Sequence, residues 1–178
     1  MHSDKSVIAA GIKDLPANIG PMQTIEGTGK LQGGVILQGS LDPSGTESHF
    51  LVDDIEFKPT AKLLIDLVDP TTSNPDQLIA NHTTQDFIQL DGTLVLNADS
   101  SYRPQQGDSW QIITGGAVSG NFNTIQSPET YPNFDFIAQY DATSVTLILS
   151  CTVDFSGDGM LDFFDVSAFL QAFTNGCP

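Results

Sequence analysis

Twelve residues near the C-terminal end, "DFSGDGMLDFFD" (Asp154 to Asp165), carry oxygen at a set spacing: Asp154, Ser156, Asp158, Asp162 and Asp165 stand at positions 1, 3, 5, 9 and 12. Position 7 offers the backbone carbonyl of Met160, and Gly159 sits at position 6. A hard cation such as Ca2+ takes about six to eight oxygens, and a loop of this length delivers them from those positions around a tight glycine turn. The stretch therefore reads as a Ca2+ loop. An ordinary acidic surface turn would account for one Asp-Gly pair, but not for five oxygen-bearing side chains in register with the glycine. Ser156 brings no charge and Asp165 reaches less far than the Glu of sensor loops, which suits a structural ion better than a signalling one.

The residues that follow must position this loop. In "FDVSAFLQAF", Val166, Phe169, Leu170 and Phe173 recur at i, i+3, i+4 and i+7, the apolar stripe of an amphipathic helix. "TNGCP" then ends it, with Asn175 and Gly176 suited to a C-cap. One loop and one helix bury too little to stand alone, so the stripe needs a cover: the preceding β region, a second copy of the chain, or a partner. Cys151 and Cys177, the only cysteines, bracket the unit. An even pair around a small module suggests a disulfide and an oxidising compartment, two free thiols being the alternative. A bridge closing about 25 residues contributes roughly 3 kcal/mol by restricting the unfolded chain.

The string "CTVDFSGDGMLDFFDVSAFLQAFTNGCP" resembles one repeat of a type I dockerin, in its Cys-flanked form ending in Gly-Cys. The resemblance puts the family's loop Asp residues at Asp154, Asp158, Asp162 and Asp165, with Ser156 in place of the usual Asn. It implies that Val166, Phe169, Leu170 and Phe173 make the helix contacts. Dockerins fold around two such EF-hand-like repeats and bind cohesin modules, mostly in extracellular polysaccharide-degrading assemblies. This chain has one repeat.

Upstream, Gly27 to Ser150 reads as short β runs broken by Gly, Pro, Asn and Asp, with no 3.6-residue period. Strands are expected in "VILQGSL" (35–41), "FLVDDIEF" (50–57), "AKLLIDLV" (61–68), "FIQLDGTLVL" (87–96), "SWQIITG" (109–115), "NFDFIAQY" (133–140) and "ATSVTLIL" (142–149). Turns are expected in "GTGKLQGG" (27–34), "LDPSGTE" (41–47), "DPTTSNPDQ" (69–77), "YRPQQGDS" (102–109) and "TGGAVSGN" (114–121). Three regions result: an unassigned N-terminal lead (1–26), a β domain (27–150) and the calcium-binding module (151–178). Phrases such as "GTGKLQGGVIL" and "DGTLVLN" echo each other without a strict period, which a stacked solenoid tolerates better than a sandwich does.

The β domain resembles the closing coils of bacterial autotransporter passengers and related surface β-helix proteins. The most specific piece is "RPQQGDSWQIITGGAVSGNF", similar to that family's Pro-x-x-Gly-Asp turn, aromatic strand and Ser-Gly-x-Phe turn. The resemblance implies a mostly β fold, a right-handed parallel β-helix or β-solenoid segment, exposed outside the cell and usually non-catalytic. Gly107 and Asp108 would then form the turn, Trp110, Ile112 and Val118 point inward, and Phe122 close over the exposed end of the stack.

Composition bounds the partners. With 178 residues and 39% hydrophobic content the chain holds one sizeable core. Six Lys and Arg against 22 Asp and Glu give a formal charge of −16, which repels nucleic acid and anionic membrane surfaces at long range. No apolar window reaches the roughly 18 residues of a membrane span, and "VIAA" near the start is shorter than a secretory apolar core. No nucleic-acid partner and no membrane insertion are expected. Extracellular or cell-surface placement follows from the resemblances and the cysteines.

Catalytic constellations are poor. Asp53 and Asp54 are adjacent and on a regular strand would face opposite ways, with Glu56 on the side of Asp54. His2, His49 and His82 have no ligand spacing, and Arg103 with five lysines gives little to meet an anionic sugar. Tyr102, Tyr131 and Tyr140 are candidates for stacking on sugars, or else packing. Two readings follow. One is a non-catalytic surface β-solenoid whose C-terminal module binds one Ca2+ and docks it to a cohesin-like or cell-envelope protein. The other is a carbohydrate-binding or polysaccharide-processing component of a degradative assembly.

Overall fold

The computed structural model describes residues 11–14, 18–44, 49–71, 75–80, 86–98, 102, 105, 107–128, 134–151 and 162–174. They are mostly β, with one short C-terminal helix. Short strands recur in a fixed order. β1 (Gly11–Asp14), β2 (Asn18–Ile19) and β3 (Thr24–Glu26) make a first level, β4 (Gly29–Leu37) and β5 (Ser40–Asp42) the next, and β6 (His49–Phe57) and β7 (Lys62–Leu67) the one after. β8 (Gln77–Ala80), β9 (Phe87–Leu90) and β10 (Thr93–Ala98) follow, then β11 (Ser109–Thr114), β12 (Ala117–Gly120) and β13 (Thr124–Gln126). The chain ends in a hairpin of β14 (Phe134–Asp141) and β15 (Ser144–Cys151) and the helix α1 (Phe163–Thr174).

Each level pairs in parallel with the next. β1, β4, β6, β8 and β11 are successive neighbours in a ten-stranded sheet to which β2, β9 and β12 also belong. β3, β5, β7, β10 and β13 form a second, five-stranded sheet, parallel throughout. Alternation along each strand sends every second side chain inward, so register aligns like with like. Ile25, Leu41, Leu63, Leu94 and Ile125 make one continuous aliphatic column across the second sheet. Val35, Ile55 and Ile88 make another, continued by the half-buried Val118, and all four pack in or against one core. Burying each such side chain contributes about 1.5–3 kcal/mol relative to leaving it exposed.

The turns stack as the strands do. The backbone N–H groups of Ser40, Lys62, Thr93 and Asn123 donate to the carbonyls of Gln23, Gly39, Ala61 and Gly92 over 2.8–2.9 Å. Bends that would otherwise leave backbone groups unpaired are thus satisfied by the level below. The stacking is tight enough to choose the residue: Gly92 has φ 75°, and a Cβ there would lie 2.3 Å from the Ala61 carbonyl oxygen.

The observed elements correct several expectations. Residues 27–34, read as a turn, lie largely in β4, and 114–121 contain β12. Their glycines look like punctuation in the sequence, yet β4 is held between β1 and β2 on one side and β6 on the other, and that pairing outweighs the weak strand propensity of glycine. Strand pairing also begins before Gly27, since β1, β2 and β3 already stack on the next level. "FIQLDGTLVL" is two strands in different sheets, divided at Asp91 and Gly92. Phe122 is buried edge-to-face against Phe57, ring centroids 6.0 Å apart. Beyond β11 the ten-stranded sheet continues into β15, which runs antiparallel to β11 and pairs with β14, while the five-stranded sheet ends at β13.

Candidate functional site

At the C-terminal module, Asp162 and Asp165 fall within the described residues. Asp162 precedes α1 and its Oδ1 accepts the Phe164 N–H at 2.7 Å, while Asp165 Oδ2 accepts the Asp162 N–H at 2.8 Å. This is a variant of the capping box, in which Asp165 reaches back to the N-cap N–H while Asp162 caps the N–H of Phe164, and both carboxylates face the positive end of the helix dipole. Asp165 is only 4% exposed. Positions 9 and 12 of the candidate loop are therefore brought together by the helix itself. Asp154, Ser156, Asp158 and Met160, the remaining candidate ligands, lie outside the described residues, as does Cys177. Cys151 ends β15 opposite Phe134. Among the described residues no group of three or more His, Cys, Asp or Glu is arranged to hold a metal.

The helical stripe is confirmed as a helix and placed at the surface. Val166, Phe169 and Leu170 are 51%, 47% and 53% exposed, and Phe163 and Phe164 are more so. The side chain of Phe173 lies outside the described residues. Of the three covers considered, the described β domain does not bury this stripe.

The "GDSW" turn forms as a built structure. Asp108 Oδ2 accepts the Gln105 N–H at 2.8 Å and the Tyr102 hydroxyl, and the Gly107 N–H donates to the Leu149 carbonyl at 3.0 Å. The turn delivers Trp110 into the core, where its indole N–H donates to the Val68 carbonyl at 2.7 Å and its ring packs against Tyr102 and Phe136. Trp110 and Ile112 are buried. So is Tyr102, which corrects its candidacy as a sugar-stacking ring. Tyr140 is half-buried and its oxygen accepts the Phe122 N–H; burial raises its pKa. Tyr131, Arg103, His2 and His82 lie outside the described residues, and His49 is half-buried in β6.

Asp53 and Asp54 also depart from expectation. A register shift between Leu31 and Gly34 kinks the β4–β6 ladder, and at this corner both carboxylates are partly exposed while Val52 and Ile55 on either side are buried. Asp53 accepts the Gly33 N–H at 2.9 Å and pairs with Lys30 at 2.9 Å; the backbone hydrogen bond, then Lys30, lowers its pKa. Asp54 Oδ1 accepts the Phe87 N–H at 2.9 Å. Glu56 pairs with Lys58. Each carboxylate fastens one level to another or neutralises a neighbour. Gly33, with φ 80°, makes the bend possible.

One buried acid has no distinct signal in the sequence. Asp76, 5% exposed, accepts the Asp66 N–H at 3.0 Å and closes the 68–77 insertion onto β7. Desolvation first, with the charges of Asp66 and Asp42 adding to it, pushes its carboxyl up to about 7. Burial likewise raises Asp42, helped by Asp66 and Glu26.

Among the described residues, no helix is long and apolar enough to cross a membrane. No protein-family model matches this chain, nor does any curated protein.

Proposed function

We propose that this chain is a non-catalytic extracellular or cell-surface protein, built as a right-handed parallel β-helix segment, whose C-terminal dockerin-like repeat binds one structural Ca2+ and docks or anchors it. The observation that carries the reading is the pair of caps at the start of α1, where Asp165 accepts the Asp162 N–H and Asp162 accepts the Phe164 N–H. It joins the last two candidate ligands of a 12-position loop at a helix whose apolar stripe is exposed. The ladder of parallel levels supports the β-helix reading. Use of Asp53 and Asp54 to tie neighbouring strands together supports a non-catalytic role for them.

In this reading Asp154, Ser156, Asp158, the Met160 carbonyl, Asp162 and Asp165 hold the ion, which supplies a cross-link across an acidic loop. The chain's own part is to hold the loop exit rigid through the capping box and to present Val166, Phe169, Leu170 and Phe173 to a cohesin-like or cell-envelope protein. A Cys151–Cys177 bridge would tie the module's ends. Calcium titration by calorimetry tests the metal site: the full chain should bind one Ca2+, and Asp154→Ala and Asp165→Ala should each lose most of that affinity. Binding unchanged in both variants would refute it. Pull-down on the native cell envelope with and without EDTA tests docking, and a capture that ignores EDTA refutes the calcium dependence.

A further inference from the structure

We propose that the outer face of the ten-stranded sheet, where β4, β6 and β9 meet, binds a neutral, hydroxyl-rich glycan chain. The face holds an open groove of about 300 Å³ lined by Gly34, Ile36, Asp54, Glu56 and Phe87, with the backbone of Val35 and Ile55 as its floor. Such a volume lies at the lower end of ligand pockets and fits a short stretch of a polymer better than an enclosed metabolite.

Three features set the ligand class. The first is Phe87, 42% exposed although it stands on a strand whose alternate residues Ile88 and Leu90 are buried. A ring left on a sheet's outer face offers a flat apolar surface to the C–H face of a sugar. The second is the polar lining. Asp54 and Glu56 line the groove, and Glu56 is paired with Lys58, which stands beside the lining, so carboxylate acceptors and an ammonium donor meet at its edge. Vicinal hydroxyls, each donor and acceptor at once, match such a pair without adding charge. Asp54 uses one oxygen on the Phe87 N–H, which fixes the backbone beneath the ring and leaves its other oxygen to accept. The third is charge. At −16 the chain repels uronic or sulfated polymers, and the groove itself is net negative, since Lys58 offsets Glu56 but not Asp54, which disfavours an anionic polymer there too.

Gly34 keeps the groove open. A Cβ built there meets nothing within 4 Å, and its φ is outside the left-handed region, so a larger residue would fill the groove without straining the strand. This site is separate from the C-terminal module and does not depend on calcium.

The test is an array of neutral and anionic oligosaccharides probed with the full chain, followed by calorimetry on the best neutral binder. Phe87→Ala should weaken binding about tenfold and Gly34→Leu should abolish it, with thermal midpoints unchanged. EDTA should leave binding intact. The proposal fails if no neutral glycan binds at millimolar concentration. It also fails if Phe87→Ala and Gly34→Leu both bind as the parent does, if anionic glycans or a lysine-rich peptide bind in preference, or if EDTA removes binding. Should Gly34→Leu fail to fold, Gly34→Ser combined with Phe87→Ala serves in its place, and unchanged affinity there overturns the proposal.

Discussion

The β levels and the terminal helix use the same kind of residue and treat it differently. Leu63, Ile65 and Leu67 in β7 are fully buried, whereas Val166, Phe169 and Leu170 in α1 remain about half exposed. In the strands of alternating pattern, the inward residues of both sheets meet in one core, so the β region covers its own apolar side chains. A single amphipathic helix has one apolar face and needs a second surface to cover it. Apolar periodicity therefore names an element in both regions, but it predicts burial only where the chain also supplies the partner.

The sharpest way to break this contrast is to cut a column. Leu63→Ala, at the middle of the line from Ile25 to Ile125, should lower stability by about 2–5 kcal/mol in urea unfolding. A loss near zero would mean that the column does not support the fold. Next in size is the stacked turn: Gly92→Ala forces a Cβ against the Ala61 carbonyl at positive φ and should cost about 1–3 kcal/mol by the same measurement.

A third prediction concerns pH. Asp76 has a folded pKa of about 7 against an ordinary value of 3.8, so between these values the folded chain binds more protons than the unfolded one. Its contribution to stability is therefore greatest below about pH 4 and lost as pH rises to 7, with Asp42 acting in the same direction. Asp76→Asn, which keeps an acceptor for the Asp66 N–H, should flatten that slope in urea midpoints measured from pH 4 to 8. An unchanged slope would assign it to other groups. The smallest effect is expected at the helix: Leu170→Ser should move the urea midpoint of the β domain by less than about 0.5 kcal/mol equivalent. A large loss there would show that the stripe is buried after all.

Much of the β region was legible because alternation survives in it. "AKLLIDLV" reads as a half-buried strand, and β7 is one. The glycine-rich "GTGKLQGG" misled because local propensity cannot register neighbours on both sides, which only the parallel pairing supplies. Asp53 and Asp54 misled for a related reason: facing rules assume a regular strand, and the register shift beside them removes that regularity. At the candidate site, the D-x-x-D spacing of Asp162 and Asp165 was read as metal chemistry, and the structure adds that the same pair caps α1. These uses are compatible, since a carboxylate has two oxygens and several lone pairs.

The sequence by itself determined the mostly β character, the oxygen spacing of the loop and the apolar stripe of the helix, because periodicity and ligand spacing are local. Only the tertiary structure decided which level pairs with which, where the corner at Gly33 falls, that Asp76 is buried among acids and that Phe87 opens onto a groove. Those outcomes depend on contacts between residues well separated in the chain, as in the Asp66–Asp76, Gly33–Asp53 and Asp54–Phe87 bonds, and no local pattern encodes them.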